Sequence, residues 1–306
     1  MGGMIPITGA QYEISAGDYR ATVTELGAGL RELTHAGRPL IASYQPDELP
    51  PGAEGQLLAP WPNRIDHGRY TFAGSTYQLD ISEPELGNAI HGLTRWASWA
   101  PVQHEPDRVL LTHVLHGRPG YPFCLELDAQ YQLGPGGLQV AVTARNAGSR
   151  PAPYGSGSHP YLTGGTQIDD YALTVPASRW LQADDRGIPA GQATDIEGTP
   201  FDFRQPRPLG GTHINHAFTG LDRDSGGKAW TRVRTAHGEL ALWVGDGYGW
   251  LQVFTGDSLA EPHRRQALAI EPMTCPPNSF VTGQDLIVLE PGQGVSHAWG
   301  LQFVPR

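Results

Sequence analysis

Apolar and polar residues alternate along much of this chain with a period of two. In Leu125–Leu133, Leu125, Leu127, Ala129, Tyr131 and Leu133 share one face, while Glu126, Asp128, Gln130 and Gln132 share the other. That period predicts a half-buried strand. Leu138–Asn146 repeats it with Leu138, Val140, Val142 and Ala144, and Gly134-Pro135-Gly136-Gly137 lies between the two segments, so the pair predicts a hairpin. Tyr70–Phe72 and Tyr77–Leu79 flank Ala73-Gly74-Ser75 in the same manner, and Leu240–Val244 and Trp250–Phe254 flank Gly245–Gly249. Trp299, Leu301 and Phe303 alternate near the end and predict a strand that closes a sheet. No window of about 12 residues carries a 3.6-residue apolar period. The βαβ rhythm, Gly-rich nucleotide loops and internal repeats are all missing. The pattern predicts an all-β fold of antiparallel sheets, most simply a large sandwich, with residues 1–306 as one domain.

Composition sharpens this picture. The 306 residues include 40 Gly and 27 Pro, about twice the usual share. With 39% hydrophobic residues and eight Trp, the chain has enough apolar side chains for a large core, so the Gly and Pro belong in turns between short strands. No apolar run approaches the roughly 18 residues of a bilayer span. Net charge is −10, and all but one of the 21 basic residues are Arg, Lys228 being the exception. Without a basic run, nucleic acid is not an expected partner, and neither is a membrane. Cys124 and Cys275 have neither metal-type nor disulfide-scaffold spacing. Met1–Ala10 lacks the basic and apolar regions of a secretory leader, so a cytoplasmic location is the default expectation.

Four loop-like segments carry polar residues that packing does not call for. Trp61-Pro62-Asn63-Arg64 joins an aromatic face to amide and guanidinium donors, a set suited to gripping hydroxyls. Taken alone, Arg64 reads more readily as a surface arginine in a Pro-rich loop. Asn88–Leu93 and Tyr154–Leu162 each place a His, His91 and His159, beside Gly or Pro in a tight turn, where an imidazole could exchange protons near neutral pH or merely bond a loop. In Leu268–Asn278, Glu271 follows an apolar run and precedes a proline; partial desolvation would raise its pKa toward that of a base, and an Arg partner would make it structural. His213 and His216 are the nearest approach to a metal pair, and no metal is expected. Gly155-Ser156-Gly157-Ser158-His159 is not a nucleophile elbow, which disfavours a serine hydrolase.

In this order, Asn63-Arg64-Ile65, His91-Gly92, His159-Pro160-Tyr161 and Glu271-Pro272-Met273-Thr274-Cys275-Pro276-Pro277-Asn278 resemble the aldose 1-epimerase (galactose mutarotase) family, particularly a bacterial subgroup. The resemblance runs from Leu26–Leu30 to Leu289–Gly292. It implies the large antiparallel supersandwich, no cofactor, and interconversion of the α and β anomers of a free sugar such as glucose or galactose. It implies Glu271 as the base at the C1 hydroxyl and His159 as the acid at the ring oxygen, with His91 orienting the sugar and Arg64 binding its hydroxyls. Asn63 and Trp61 accompany them as binding residues. Ile214–Phe218 matches a stretch where the family has Asp-His; Asn215 keeps an acceptor oxygen, loses the charge and gains a donor. Trp61, Trp243 and Phe254 are candidates for an aromatic face under the sugar. Two other classes stand beside this one: a non-catalytic carbohydrate-binding protein, and a glycoside hydrolase or lyase drawing a second carboxylate from Asp246, Asp257 or Glu261. A small sugar is the expected partner, and monomer and dimer are equally compatible.

Overall fold

The computed structural model describes residues 4–306; Met1–Gly3 of the stretch read for a leader lie outside the described residues. Among the described residues the chain forms antiparallel sheets, and its only α-helix is the single turn Ser279–Thr282. The larger sheet has nine strands, ordered Ala100–Glu105, Arg108–Leu115, Leu125–Gly134, Gly137–Asn146, Gly294–Pro305, Gly238–Val244, Ala229–Arg234, Ala172–Thr174 and Arg207–Pro208. The Leu125–Gly134 and Gly137–Asn146 strands form the expected hairpin, and every second residue of the first is buried. The last strand, Gly294–Pro305, lies between Gly137–Asn146 and Gly238–Val244, so it joins two parts of the sheet from the middle and does not close an edge.

The second large sheet holds the site. It runs Thr194–Asp195, Ala177–Leu181, Asn215–Leu221, Trp250–Phe254, Leu268–Met273, Gly157–Ser158 and Leu57–Leu58, with Tyr161–Leu162 also paired to Leu268–Met273. Its strands are apolar on one face: Leu251, Val253 and Ile270 are essentially fully buried in the core that also takes Leu127, Val140 and Leu301 of the nine-stranded sheet. The two inner faces make a sandwich.

One expected hairpin is absent. Gly238–Val244 lies in the nine-stranded sheet and Trp250–Phe254 in the eight-stranded one, so Gly245–Gly249 crosses between layers. Tyr248 within it is fully buried, which ties the link into the interior and turns the chain from one sheet to the other. By contrast Arg69–Phe72 and Ser75–Gln78 do form a hairpin, with Ala73 and Gly74 both at positive φ, as a primed two-residue turn requires.

Candidate functional site

The register of the eight-stranded sheet assembles the candidate residues. Leu268–Met273 pairs Met273 with Gly157 and Ala269 with Tyr161, which sets position 159 opposite position 271. On its other edge the same strand pairs Glu271 with Gln252 and Ala269 with Phe254, and Phe254 in turn pairs with Asn215. Directly opposed residues of an antiparallel sheet point to the same face. Two rows therefore cross the outer face: His159, Glu271 and Gln252 in one, and Tyr161, Ala269, Phe254 and Asn215 in the next. The chain separation between His159 and Glu271 is closed by a ladder, and their side chains approach to 3.4 Å.

The walls come from outside this sheet. Arg64–Asp66 pairs with Asn88–Ile90 and brings Asn63-Arg64 against His91-Gly92. Asn63 and His91 both adopt the left-handed conformation, with φ of 54° and 62°, and the His91 N–H donates to the Asn63 carbonyl at 2.9 Å. Such backbone is costly for residues with a Cβ and persists where the surroundings hold it. Gly92 supplies the close approach: a Cβ there would lie 2.1 Å from the Ala59 carbonyl oxygen. The segment 55–56 grips His159 from both sides, the Gly55 N–H donating to the His159 carbonyl at 2.9 Å and the His159 N–H to the Gln56 carbonyl at 3.0 Å.

These parts enclose an open cleft of about 360 Å³ whose wall includes Asn63, Arg64, His91, His159, Asn215 and Glu271. Six of the seven residues expected from the sequence thus meet in one place. Trp61 is the exception. Its indole is buried against Phe280, with ring centroids 5.6 Å apart, and does not line the cleft. Trp243 is also absent from the cleft: it lies on the nine-stranded sheet under the Lys228 ammonium, 4.0 Å from the ring centre. Of the three proposed aromatic faces only Phe254 lines the cleft, joined by Tyr161.

Burial governs the electrostatics. Glu271 is 2% exposed, and desolvation pushes its carboxyl up to about 8 against a smaller opposing pull from Arg64. Desolvation takes His159 down to about 3, and the charges of Arg95 and Arg64 act in the same direction. His91 is held well below its ordinary value by burial first, then by His159, Arg95 and Arg64. The imidazole of His159 finds no partner for Nδ1 among the described residues. It is held by Tyr161, whose ring stacks on it at 4.9 Å and 8°, and by the edge of His91 at 5.2 Å. Tyr161 is itself fixed, its hydroxyl donating to the Gly52 carbonyl at 3.0 Å.

Arg64 faces the cleft while paired to Glu83 through two parallel bonds, Nε to Oε2 at 2.8 Å and Nη2 to Oε1 at 2.7 Å. Asn215 points its Oδ1 at Gln252 Nε2, 2.7 Å away. Arg95 also lines the cleft and has no ion-pair partner among the described residues. Sequence reasoning had left Tyr161, Glu83, Arg95 and Gln252 without roles. Gln252 carried a signal, as the single polar residue in the otherwise apolar Trp250–Phe254 strand. Glu83, in an irregular loop, carried none. The carboxylates considered for hydrolysis, Asp246, Asp257 and Glu261, do not line the cleft; Asp257 is paired to Arg265 at 2.8 Å. Among the described residues no group of three or more His, Cys, Asp or Glu gathers in metal-binding fashion.

Comparison with known proteins assigns the family and the fold. Residues 10–302 match the family model described as Aldose 1-epimerase. The uncharacterized protein YihR of Escherichia coli is 38% identical over 94% of this chain and 91% of its own length. The aldose 1-epimerase of Escherichia coli is 28% identical over 82% of this chain and 80% of its own. Among solved structures, a GalM/aldose epimerase homologue from Caenorhabditis elegans superposes with a TM-score of 0.85, covering 97% of this chain and 99% of that one at 19% identity. The galactose 1-epimerase of Lactobacillus acidophilus does so at 0.81, with 94% and 92% covered and 21% identity. The ordered motifs, the supersandwich and the match across nearly the whole chain place this protein in the aldose 1-epimerase family.

Proposed function

We propose that the protein is a mutarotase, interconverting the α and β anomers of a free aldohexose such as glucose or galactose. The observation that carries the reading is the facing of Glu271 and His159 across one ladder, 3.4 Å apart on the floor of an open cleft. Anomerisation needs a proton removed from the C1 hydroxyl and one delivered to the ring oxygen. Both oxygens are bonded to the same carbon, so an acid and a base this close reach both.

Glu271 takes the hydroxyl proton as the C1–O5 bond breaks and the C1 carbonyl forms, and His159 gives its proton to O5. The open aldehyde turns about C1–C2. The O5 hydroxyl then adds to the other face, returning its proton to His159, while the carbonyl oxygen takes back the proton on Glu271. The pair carries one proton, which burial holds on Glu271 at rest; its passage to His159 over the 3.4 Å contact gives the carboxylate and imidazolium that begin the cycle, so the cycle closes without an outside donor. Each group is worth roughly 10²- to 10⁴-fold. Arg64, His91 and Asn215 offer donors around the cleft, with Phe254 and Tyr161 as its aromatic surfaces.

Polarimetry tests this. Fresh α-D-glucose and α-D-galactose are followed to anomeric equilibrium with protein, with Glu271→Gln and with buffer. Acceleration by the wild type alone supports the reading. Binding without acceleration would replace it by a carbohydrate-binding role.

A further inference from the structure

We infer that the Arg186–Gly187 turn is a positioning element for Arg64, setting the affinity of the cleft for its sugar from outside it; this rests on the sugar-binding reading above. The turn is shaped by its own chain. Asp184 Oδ1 accepts from the N–H groups of Arg186 and Ile188, both at 2.9 Å, and the Gly187 N–H donates to the Asp184 carbonyl at 2.9 Å. Asp residues favour such turns because the carboxylate satisfies local backbone donors.

From this tip two neighbouring residues do different things. Gly187, at φ 72°, lays bare backbone against Arg64: a Cβ there would lie 2.7 Å from Nη1 and 2.9 Å from Cζ. Arg186 reaches the other way, to Asp66 Oδ1 at 2.8 Å, Asn88 Oδ1 at 2.9 Å and the Leu86 carbonyl at 2.9 Å. Asn88, so held, donates Nδ2 to Glu83 Oε2 at 3.1 Å. Glu83 is the carboxylate that holds Nε and Nη2 of Arg64. The guanidinium is thus fixed along one edge by Glu83 and bounded at Nη1 by Gly187, and both contacts trace back to one turn. Arg186 does not line the cleft, so it acts through Arg64. Bidentate guanidinium–carboxylate geometry is directional, so loosening its support costs orientation even where the charge stays.

Arg186→Ala is expected to raise KM roughly tenfold, the worth of one charge-assisted hydrogen bond, with kcat within about twofold. Arg186→Lys, which can meet Asp66 without spanning to Asn88, falls between. Gly187→Ala raises KM in the same direction by a separate route, which keeps the test open should Arg186→Ala fold poorly. In the Arg64→Ala background, Arg186→Ala adds no further change. The inference is overturned if both turn variants keep the wild-type KM while only thermal stability falls, or if the two Arg substitutions act additively. Should the wild type neither turn over nor bind the two sugars, the proposed function fails. A crystal structure of Arg186→Ala then decides the inference separately: an Arg64–Glu83 pair unmoved overturns it, a displaced guanidinium supports it.

Discussion

Removing the Glu271 carboxyl has a signature in stability as well as activity. Burial raises this group from 4.5 to about 8, whereas His159 falls from 6.5 to about 3. In the folded chain the pair holds one proton from about pH 3 to about pH 8. In the unfolded chain it holds two below 4.5, one between 4.5 and 6.5, and none above. Stability rises with pH wherever the unfolded state binds more protons. The raised carboxyl therefore contributes stability that is whole below pH 4.5 and lost as pH climbs through 8. The depressed imidazole contributes stability that is whole above pH 6.5 and lost as pH falls through 3. Together they give a level stretch from 4.5 to 6.5 with a decline on either side. Glu271→Gln keeps the shape, removes the ionisation and leaves the His159 part. The difference in unfolding free energy, wild type minus variant, should thus fall by about 3 kcal/mol between pH 5.5 and 8. Urea denaturation followed by tryptophan fluorescence, at several pH values across that window, measures it. A difference that stays constant or grows with pH would mean that Glu271 is already ionised in the folded chain, and would refute the argument.

The remaining predictions concern the cleft. Above about pH 8 the pair loses its proton, so kcat/KM should decline there, read by polarimetry across a pH series. Asn215→Asp sets a carboxylate beside Gln252 and near Glu271; like charge raises the Glu271 carboxyl further, moving that alkaline limb to higher pH, and an unmoved or lowered limb contradicts the geometry. Tyr161→Leu, which removes the ring stacked on His159, should lower kcat roughly tenfold or more, while Tyr161→Phe retains most activity. Gly92→Ala would force a Cβ to 2.1 Å from the Ala59 carbonyl oxygen; expected are a loss of well over 1 kcal/mol in a denaturant melt and a sharp fall in activity as His91 moves.

The period-two pattern of Leu125–Leu133, the Ala73-Gly74 turn and the order of the His and Glu motifs could all be read from the chain alone, because alternation and turn chemistry are local properties. Partner choice is not local. Leu240–Val244 and Trp250–Phe254 look like the arms of one hairpin, yet they lie in different sheets, since the same apolar alternation suits either layer. Trp61 and Phe254 were equal candidates for a sugar-facing ring; what stands over each decided it, Phe280 covering the first and the cleft opening above the second. Arg64 was legible as a binding group, but its carboxylate partner and the distant turn that supports it were not, because Glu83 and Arg186 reach it only through side chains from separate loops. The sequence by itself determined which residue types were available and which faces were apolar. The tertiary structure decided that position 159 stands opposite position 271, because strand register is set by the ladder and the core that both sheets share.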